Sequence, residues 1–160
     1  MKKLTLERSF SAPIEKVWEA LTSADKLKKW WCPVGFEASD ISVDFNKGGI
    51  FGYCFKNSEG QEFWGRGVYQ TIEHPKFLSW LDTFTDSKGN PVPSSHYGMP
   101  GEEIVEALVE FSLTVENSIT TMKMVGENPH DDFMLESMTK GWNGMFDKLL
   151  GPKTLDLLNF

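Results

Sequence analysis

Residues 3–10 alternate between apolar and polar, with Leu4, Leu6 and Phe10 on one side. This is the period of a strand with one buried face. Ser11-Ala-Pro then opens a helix, with Pro13 suited to its first turn. Ile14, Val17, Trp18 and Leu21 follow the i, i+3, i+4, i+7 spacing of a single buried stripe. Ser23 is placed to cap a second short helix, from Ala24 to about Trp30, whose apolar side is Leu27, Trp30 and Trp31. After Pro33-Val-Gly the period returns to two. Ile41, Val43 and Phe45 share one face, and Asp40, Ser42 and Asp44 the other. Asn46-Lys-Gly-Gly is a turn. Strands follow over about 50–56, 62–73 and 77–84, separated by Asn57-Ser-Glu-Gly and His74-Pro75.

Residues 85–103 break the pattern with three prolines and three glycines, and are predicted to form a long loop. Loops of this length in compact domains are often functional. Two more strands, about 104–115 and 118–125, are joined by a tight turn at Glu116-Asn117. Asn128-Pro129 then signals the start of a helix. His130, Asp131 and Asp132 lie at its first turn, where the dipole favours acids. Met134, Met138, Gly141, Trp142, Met145 and Leu149 form its apolar stripe, widened by Phe133, Phe146 and Leu150. Gly151-Pro152 ends it, and the tail 153–160 has no assignable pattern.

The order is therefore strand, two short helices, six strands, long helix. A twisted antiparallel sheet with one apolar face needs a cover. The final helix is the only long amphipathic element available for that role. The expectation is an α+β fold in one domain, residues 1–160. Its core spans 3–150, and the curved antiparallel sheet wraps around the C-terminal helix.

Composition adds limits. The chain of 160 residues is 40% apolar and carries twelve Phe, six Trp and three Tyr, enough large rings to fill a thick core or to line a pocket. Its net charge of -7 argues against nucleic acid and anionic membrane surfaces as partners. No apolar run reaches the roughly 20 residues of a membrane span. The Met-Lys-Lys start lacks the apolar stretch of a signal peptide, so the expected location is the cytoplasm. Cys32 and Cys54 are expected to be two reduced thiols.

Several short motifs, in order, carry a family resemblance. Arg8-Ser-Phe-Ser-Ala-Pro-Ile-Glu-Lys-Val-Trp-Glu-Ala-Leu-Thr resembles the opening of the helix-grip superfamily that includes START-domain and polyketide-cyclase-like proteins. Leu27-Lys-Lys-Trp-Trp-Cys-Pro is similar to the double-tryptophan segment of its AHSA-type branch, named for homology to the activator of the heat-shock protein 90 ATPase. Lys47-Gly-Gly-Ile-Phe-Gly-Tyr, Glu73-His-Pro-Lys-Phe-Leu-Ser-Trp and Gly141-Trp-Asn-Gly-Met-Phe-Asp-Lys-Leu resemble the later strands and closing helix of that branch. The resemblance implies a helix-grip fold that commonly holds a pocket between sheet and helix. The loop 85–103 is longer than the usual connection in the branch.

Motif chemistry is sparse. There is no phosphate loop, no Gly-x-Ser-x-Gly elbow and no Cys-x-x-Cys. His74, His96 and His130 have no second histidine at ligand spacing, so no metal, cofactor or catalytic residue is expected. The candidate ligand-binding residues are aromatic or methionine. Phe51, Tyr53 and Phe55 alternate on one strand; Trp64, Trp80 and Phe84 come from its neighbours; Trp30 and Trp31 come from the short helices. Tyr97 lies in the long loop, and Met138, Trp142 and Met145 on the closing helix. Methionine suits surfaces that adapt to varied apolar shapes. Arg66, Asp82 and Glu106 are charges within strand patterns, and Arg66, Asp82 and His96 are the candidate polar contacts. The leading expectation is a non-catalytic domain that binds a small, mostly apolar molecule. The alternatives are a chaperone-associated or stress-related interaction protein, and a cyclase- or hydrolase-like enzyme using the same cavity. Exposed strand edges and the apolar tail leave a homodimer open.

Overall fold

The computed structural model describes residues 2–128 and 132–150. The expected helix start at Pro129, with His130 and Asp131, and the tail 151–160 lie outside the described residues, as do the side chains of Phe133, Met134 and Leu150. In chain order the elements begin with strand β1 (Lys2–Phe10), helices α1 (Ile14–Thr22) and α2 (Ala24–Trp30), and strands β2 (Phe36–Val43) and β3 (Ile50–Asn57). Then come β4 (Glu62–Glu73), β5 (Phe77–Thr85), β6 (Ala107–Glu116), β7 (Ile119–Asn128) and helix α3 (Asp132–Leu150). A short 3-10 turn at Ser94–Tyr97 interrupts the long connection between β5 and β6.

All seven strands form one antiparallel sheet in the order β1-β7-β6-β5-β4-β3-β2. Strands β2 to β7 form a meander in which each strand pairs with the next. Strand β1 instead pairs with β7, Lys2 opposite Asn128 and Phe10 opposite Thr120. The helices α1 and α2 therefore carry the chain from one sheet edge to the other. The sheet curls into a half-barrel around α3, and the helix contacts both β1 and α2. This is the helix-grip arrangement that the alternating patterns and the amphipathic final helix predict.

Strand register sets which side chains meet in the trough. Trp80 stands opposite Tyr69 on one side and Val109 on the other, and Phe111 stands opposite Leu78 and Met124. Leu78, Phe111, Met122 and Met124 are fully buried, and from α3 Phe146 and Leu149 pack onto them. Arg8 fixes the same end of α3, donating from Nη1 to Asp147 Oδ1 and from Nη2 to Asn143 Oδ1, each at 2.8 Å. The short helices pack by the stripe expected of them: Val17, Trp18, Leu21, Leu27 and Trp30 are all buried. Ser23 occupies the N-cap of α2, but its hydroxyl makes no capping bond.

Three boundaries differ from the sequence pattern. Strand β7 runs on past 125 to Asn128, the residue expected to cap the last helix, because Asn128 pairs with Lys2 across the sheet. Strand β6 begins at Ala107 rather than near Ile104, which is 56% exposed, and Glu106 is exposed ahead of the strand. The β6–β7 turn is centred on Asn117 and Ser118, both left-handed, with φ of 51° and 65°. Such a two-residue turn matches the twist of the flanking strands, and a glycine at its second position removes the strain of a side chain there. Substituting Ser118→Gly should therefore raise stability by roughly 0.5–1 kcal/mol, read as a higher urea midpoint with an unchanged slope.

Candidate functional site

At its C-terminal half α3 is packed into the sheet, with Met145, Phe146 and Leu149 buried. Towards its N-terminal half, Met138, Gly141 and Trp142 are only half-buried, and beneath them lies a cavity of about 320 Å³. Its floor comes from the sheet: Tyr53 and Phe55 on β3, Phe63 on β4, Asp82 and Phe84 on β5, Val109 on β6. Gly126, Glu127 and Leu4 extend the floor along the β7–β1 flank. Trp31 and Pro33 close one side. The long loop supplies the remaining wall through Val92, Ser94, Met99, Glu103 and Val105.

Trp31 divides this space from the solid core. Its ring is 5.3 Å from Phe51, 5.7 Å from Trp80, 6.0 Å from Tyr53 and 5.2 Å from Trp142, all near edge-to-face. Phe51 and Trp80 lie on its core side and do not reach the cavity, whereas Tyr53 and Trp142 do. Trp31 Nε1 is buried without a hydrogen-bond partner.

The floor depends on two glycines that the sequence reading passed over. Gly65 and Gly67 face the trough on β4, opposite Phe84 and Asp82. A Cβ at Gly65 would fall 2.5 Å from Tyr53 Cζ, and one at Gly67 would collide with Trp80 Cδ1. With no side chains on β4 at these points, Tyr53 leans in from β3 and Trp80 from β5, and both rings reach Asp82. Tyr53 donates its hydroxyl to Asp82 Oδ1 at 2.8 Å, and Trp80 Nε1 donates to Oδ2 at 3.0 Å. Asp82 keeps some accessible surface, on a cavity wall deep within the protein. Burial pushes its carboxyl up to about 6, against the smaller opposing pull of the two hydrogen bonds. Burial, reinforced by the neighbouring Asp82 charge, also holds the Tyr53 hydroxyl well above the usual phenol range.

The loop is anchored rather than free-standing. Asp86 Oδ1 accepts from the backbone N–H of Lys88 and of Asn90, both at 2.9 Å, and Val92 N–H donates to Phe84 O at 2.9 Å. Tyr97 donates its hydroxyl to Thr85 O and accepts from Trp64 N–H at 3.1 Å, so one phenol ties the loop to both β4 and β5. Its ring packs on Phe63 and Phe84, behind the cavity wall.

The structure thus gathers eight of the expected residues at the cavity: Trp31, Tyr53, Phe55, Asp82, Phe84, Met138, Trp142 and Met145. Trp30, Phe51 and Trp80 belong to the core, and Trp30 Nε1 is bonded to Ala20 O at 2.8 Å. Trp64 and Arg66 must be corrected as cavity residues. Side chains alternate along a strand, and because Gly65 and Gly67 face the trough, Trp64 and Arg66 point to the opposite face. Arg66 Nη1 donates there to Gly89 O at 3.3 Å. His96 is also corrected: it is exposed, with its ring against Tyr97, and Tyr97 itself is a loop anchor. Loop residues Val92, Ser94 and Met99 were missed, because nothing in a Pro/Gly-rich segment announces which side chains turn inward. Among the described residues no three His, Cys, Asp or Glu side chains form a metal-binding group, and no helix is long and apolar enough to cross a membrane.

A curled antiparallel sheet closed by one C-terminal helix over an apolar pocket defines the helix-grip class. Within it the chain belongs to the family described as activator of Hsp90 ATPase homolog 1-like protein, which matches residues 11–151. Solved structures with the same fold include the AHSA1 protein of Silicibacter pomeroyi, 21% identical, with a TM-score of 0.78 and coverage of 97% of this chain and 99% of that one. A protein from Chromobacterium violaceum is 24% identical with a TM-score of 0.75, covering 92% and 93% of the two chains. A protein from Nitrosomonas europaea is also 24% identical with a TM-score of 0.75, covering 98% and 94%. At these identities the likeness carries the fold alone. No curated protein matches the chain.

Two outcomes follow from the floor. Gly67→Ala should destabilise the protein by about 1–3 kcal/mol through overpacking against Trp80, measured by chemical denaturation. The Asp82 carboxyl should titrate near pH 6, seen as a shift of the Trp80 indole N–H resonance. The ordinary carboxyl value is 3.8, so between about pH 4 and 6 the folded state binds more protons than the unfolded one. The contribution of Asp82 to stability is therefore present at the acid end of that window and lost as pH rises through it.

Proposed function

We propose that the protein binds a small, mostly apolar molecule in the space between the sheet and α3. The observation that carries this reading is the cavity itself: about 320 Å³, walled by aromatic and aliphatic side chains with a few polar groups. Its size and lining fall in the range of small-molecule sites, roughly 300–1,000 Å³.

Gly141 adds weight. It sits within α3 and faces the cavity, and a Cβ there would meet nothing within 4 Å. Glycine in a helix interior costs about 1 kcal/mol relative to alanine. Packing does not require it here; its effect is to leave the space empty. The family name supplies a second reading, contact with a chaperone ATPase of the Hsp90 kind. Retention of such a chaperone on the immobilised protein, with a changed ATPase rate, is what that reading requires.

The neutral dye Nile red should bind with a blue-shifted emission and quench fluorescence from Trp31 and Trp142. Gly141→Ala should stabilise the fold by roughly 0.5–1 kcal/mol. Gly141→Leu should fill the cavity and weaken the dye at least about tenfold while the protein remains folded. Unchanged dye affinity in Gly141→Leu, or no dye binding by the parent protein, counts against a ligand in this cavity.

A further inference from the structure

The reading of the cavity as an apolar site leaves open what the polar part of its occupant is, and the wall chemistry is one-sided. Among the described residues the ionisable groups on the wall are Asp82, Glu103, Glu127 and Tyr53, and no Lys, Arg or His lines it. Glu127 is engaged, accepting the Leu108 N–H through Oε2 at 2.9 Å, and Glu103 is exposed at the loop. Asp82 is the carboxylate set among rings on the floor. Its two neutral donors take one lone pair on each oxygen, and an ionised carboxylate has about four acceptor sites. Both oxygens therefore keep capacity for a further donor.

A buried carboxylate with only neutral partners is an unbalanced charge. An anionic guest would meet Asp82, Glu103 and Glu127 with no cation on the wall to offset them. A guest without a donor would leave both Asp82 oxygens as they are, and a neutral donor would add a hydrogen bond but no counter-charge. A cationic donor would supply both. The neighbouring side chains suit one: Trp31, Tyr53 and Trp142 bring aromatic rings, the groups whose π-systems attract a cationic head, to the same wall.

We propose that the occupant of this cavity is an organic amine, an apolar body bearing a protonated nitrogen that pairs with Asp82 on the floor while its carbon frame lies under Met138, Gly141 and Trp142. This assignment rests on the reading of the cavity as a site for apolar molecules, and it adds the sign of the charge. Burial that raises the Asp82 carboxyl to about 6 works in the same direction, since an ammonium group supplies the balance that the wall lacks.

The test is competition against bound Nile red by three compounds sharing one frame: naphthylethylamine, ethylnaphthalene and naphthylpropionate. The amine should displace the dye at a concentration at least about tenfold lower than the neutral compound, and the carboxylate should be weakest. Asp82→Asn should remove the amine's advantage over ethylnaphthalene, read as the ratio of the two displacement concentrations measured on the same variant. A measurement free of substitution supports the same point. In the unaltered protein the amine's advantage should shrink as pH is lowered through about 6, the range where Asp82 gains its proton. Tyr53 on β3, Glu103 in the loop and Glu127 on β7 are the other titratable groups facing the cavity, and α3 contributes none among the described residues. The Asp82→Asn protein, if folded, should therefore lose that pH response. Equal affinity for amine and neutral compound, or an advantage that survives both low pH and Asp82→Asn, overturns the amine assignment and leaves the apolar site standing. Failure of the dye and all three compounds to bind overturns both.

Discussion

A single helix is too narrow to fill the trough of a seven-stranded curled sheet along its whole length, and this mismatch governs the molecule. Interiors pack at crystal-like density, so the spare volume must be taken by large side chains, by loops, or by a guest. One end of the trough takes the first route: Phe111, Met122, Met124, Phe146 and Leu149 close it completely, and the Arg8 bonds to Asn143 and Asp147 secure the helix there. The other end takes the second in part, with the loop after β5 folding in. Trp31 stands at the boundary, one ring serving as the last layer of the core and the first wall of the space.

The floor of that space shows how polar chemistry is placed within an apolar surround. Removing side chains from β4 at Gly65 and Gly67 lets two aromatic residues converge from neighbouring strands on one carboxylate. The three side chains fix each other: Tyr53 and Trp80 each bury a donor that needs an acceptor, and Asp82 supplies both. Neither hydrogen bond brings a counter-charge, however. The arrangement orders the carboxyl group without neutralising its charge.

Much of the architecture was legible in the sequence because its elements are long and strictly periodic. Alternation placed all seven strands, and the helical stripe on α3 identified the side that meets the sheet. Tyr53, Phe55, Phe84 and Asp82 meet at the cavity because period two puts them on shared strand faces, and Trp142 joins them through the helical stripe of α3. Trp64 and Arg66 were misplaced for an instructive reason. In Phe63-Trp-Gly-Arg-Gly the inward positions are Phe63 and the two glycines, and alternation gives little sign of which parity faces inward when two of its three positions have no side chain. The loop contribution was illegible for another reason. Ser94 and Met99 reach the wall through turn geometry and tertiary anchors such as Tyr97 to Thr85, and neither leaves a periodic trace.

The pairing of β1 with β7 has a consequence for how the chain assembles. Every other strand pair joins sequence neighbours, but Lys2 finds its partner only at Asn128. Contacts of such high sequence separation carry a loop-closure cost before any reward and slow folding. During synthesis the first strand emerges without a partner and remains an open edge until the last strand of the sheet has been made. Closure of that flank, and with it the seating of Arg8 against the final helix, belongs to the end of the folding reaction. The flank of the cavity built from Leu4, Gly126 and Glu127 is therefore complete only once the two ends of the sheet's chain have met.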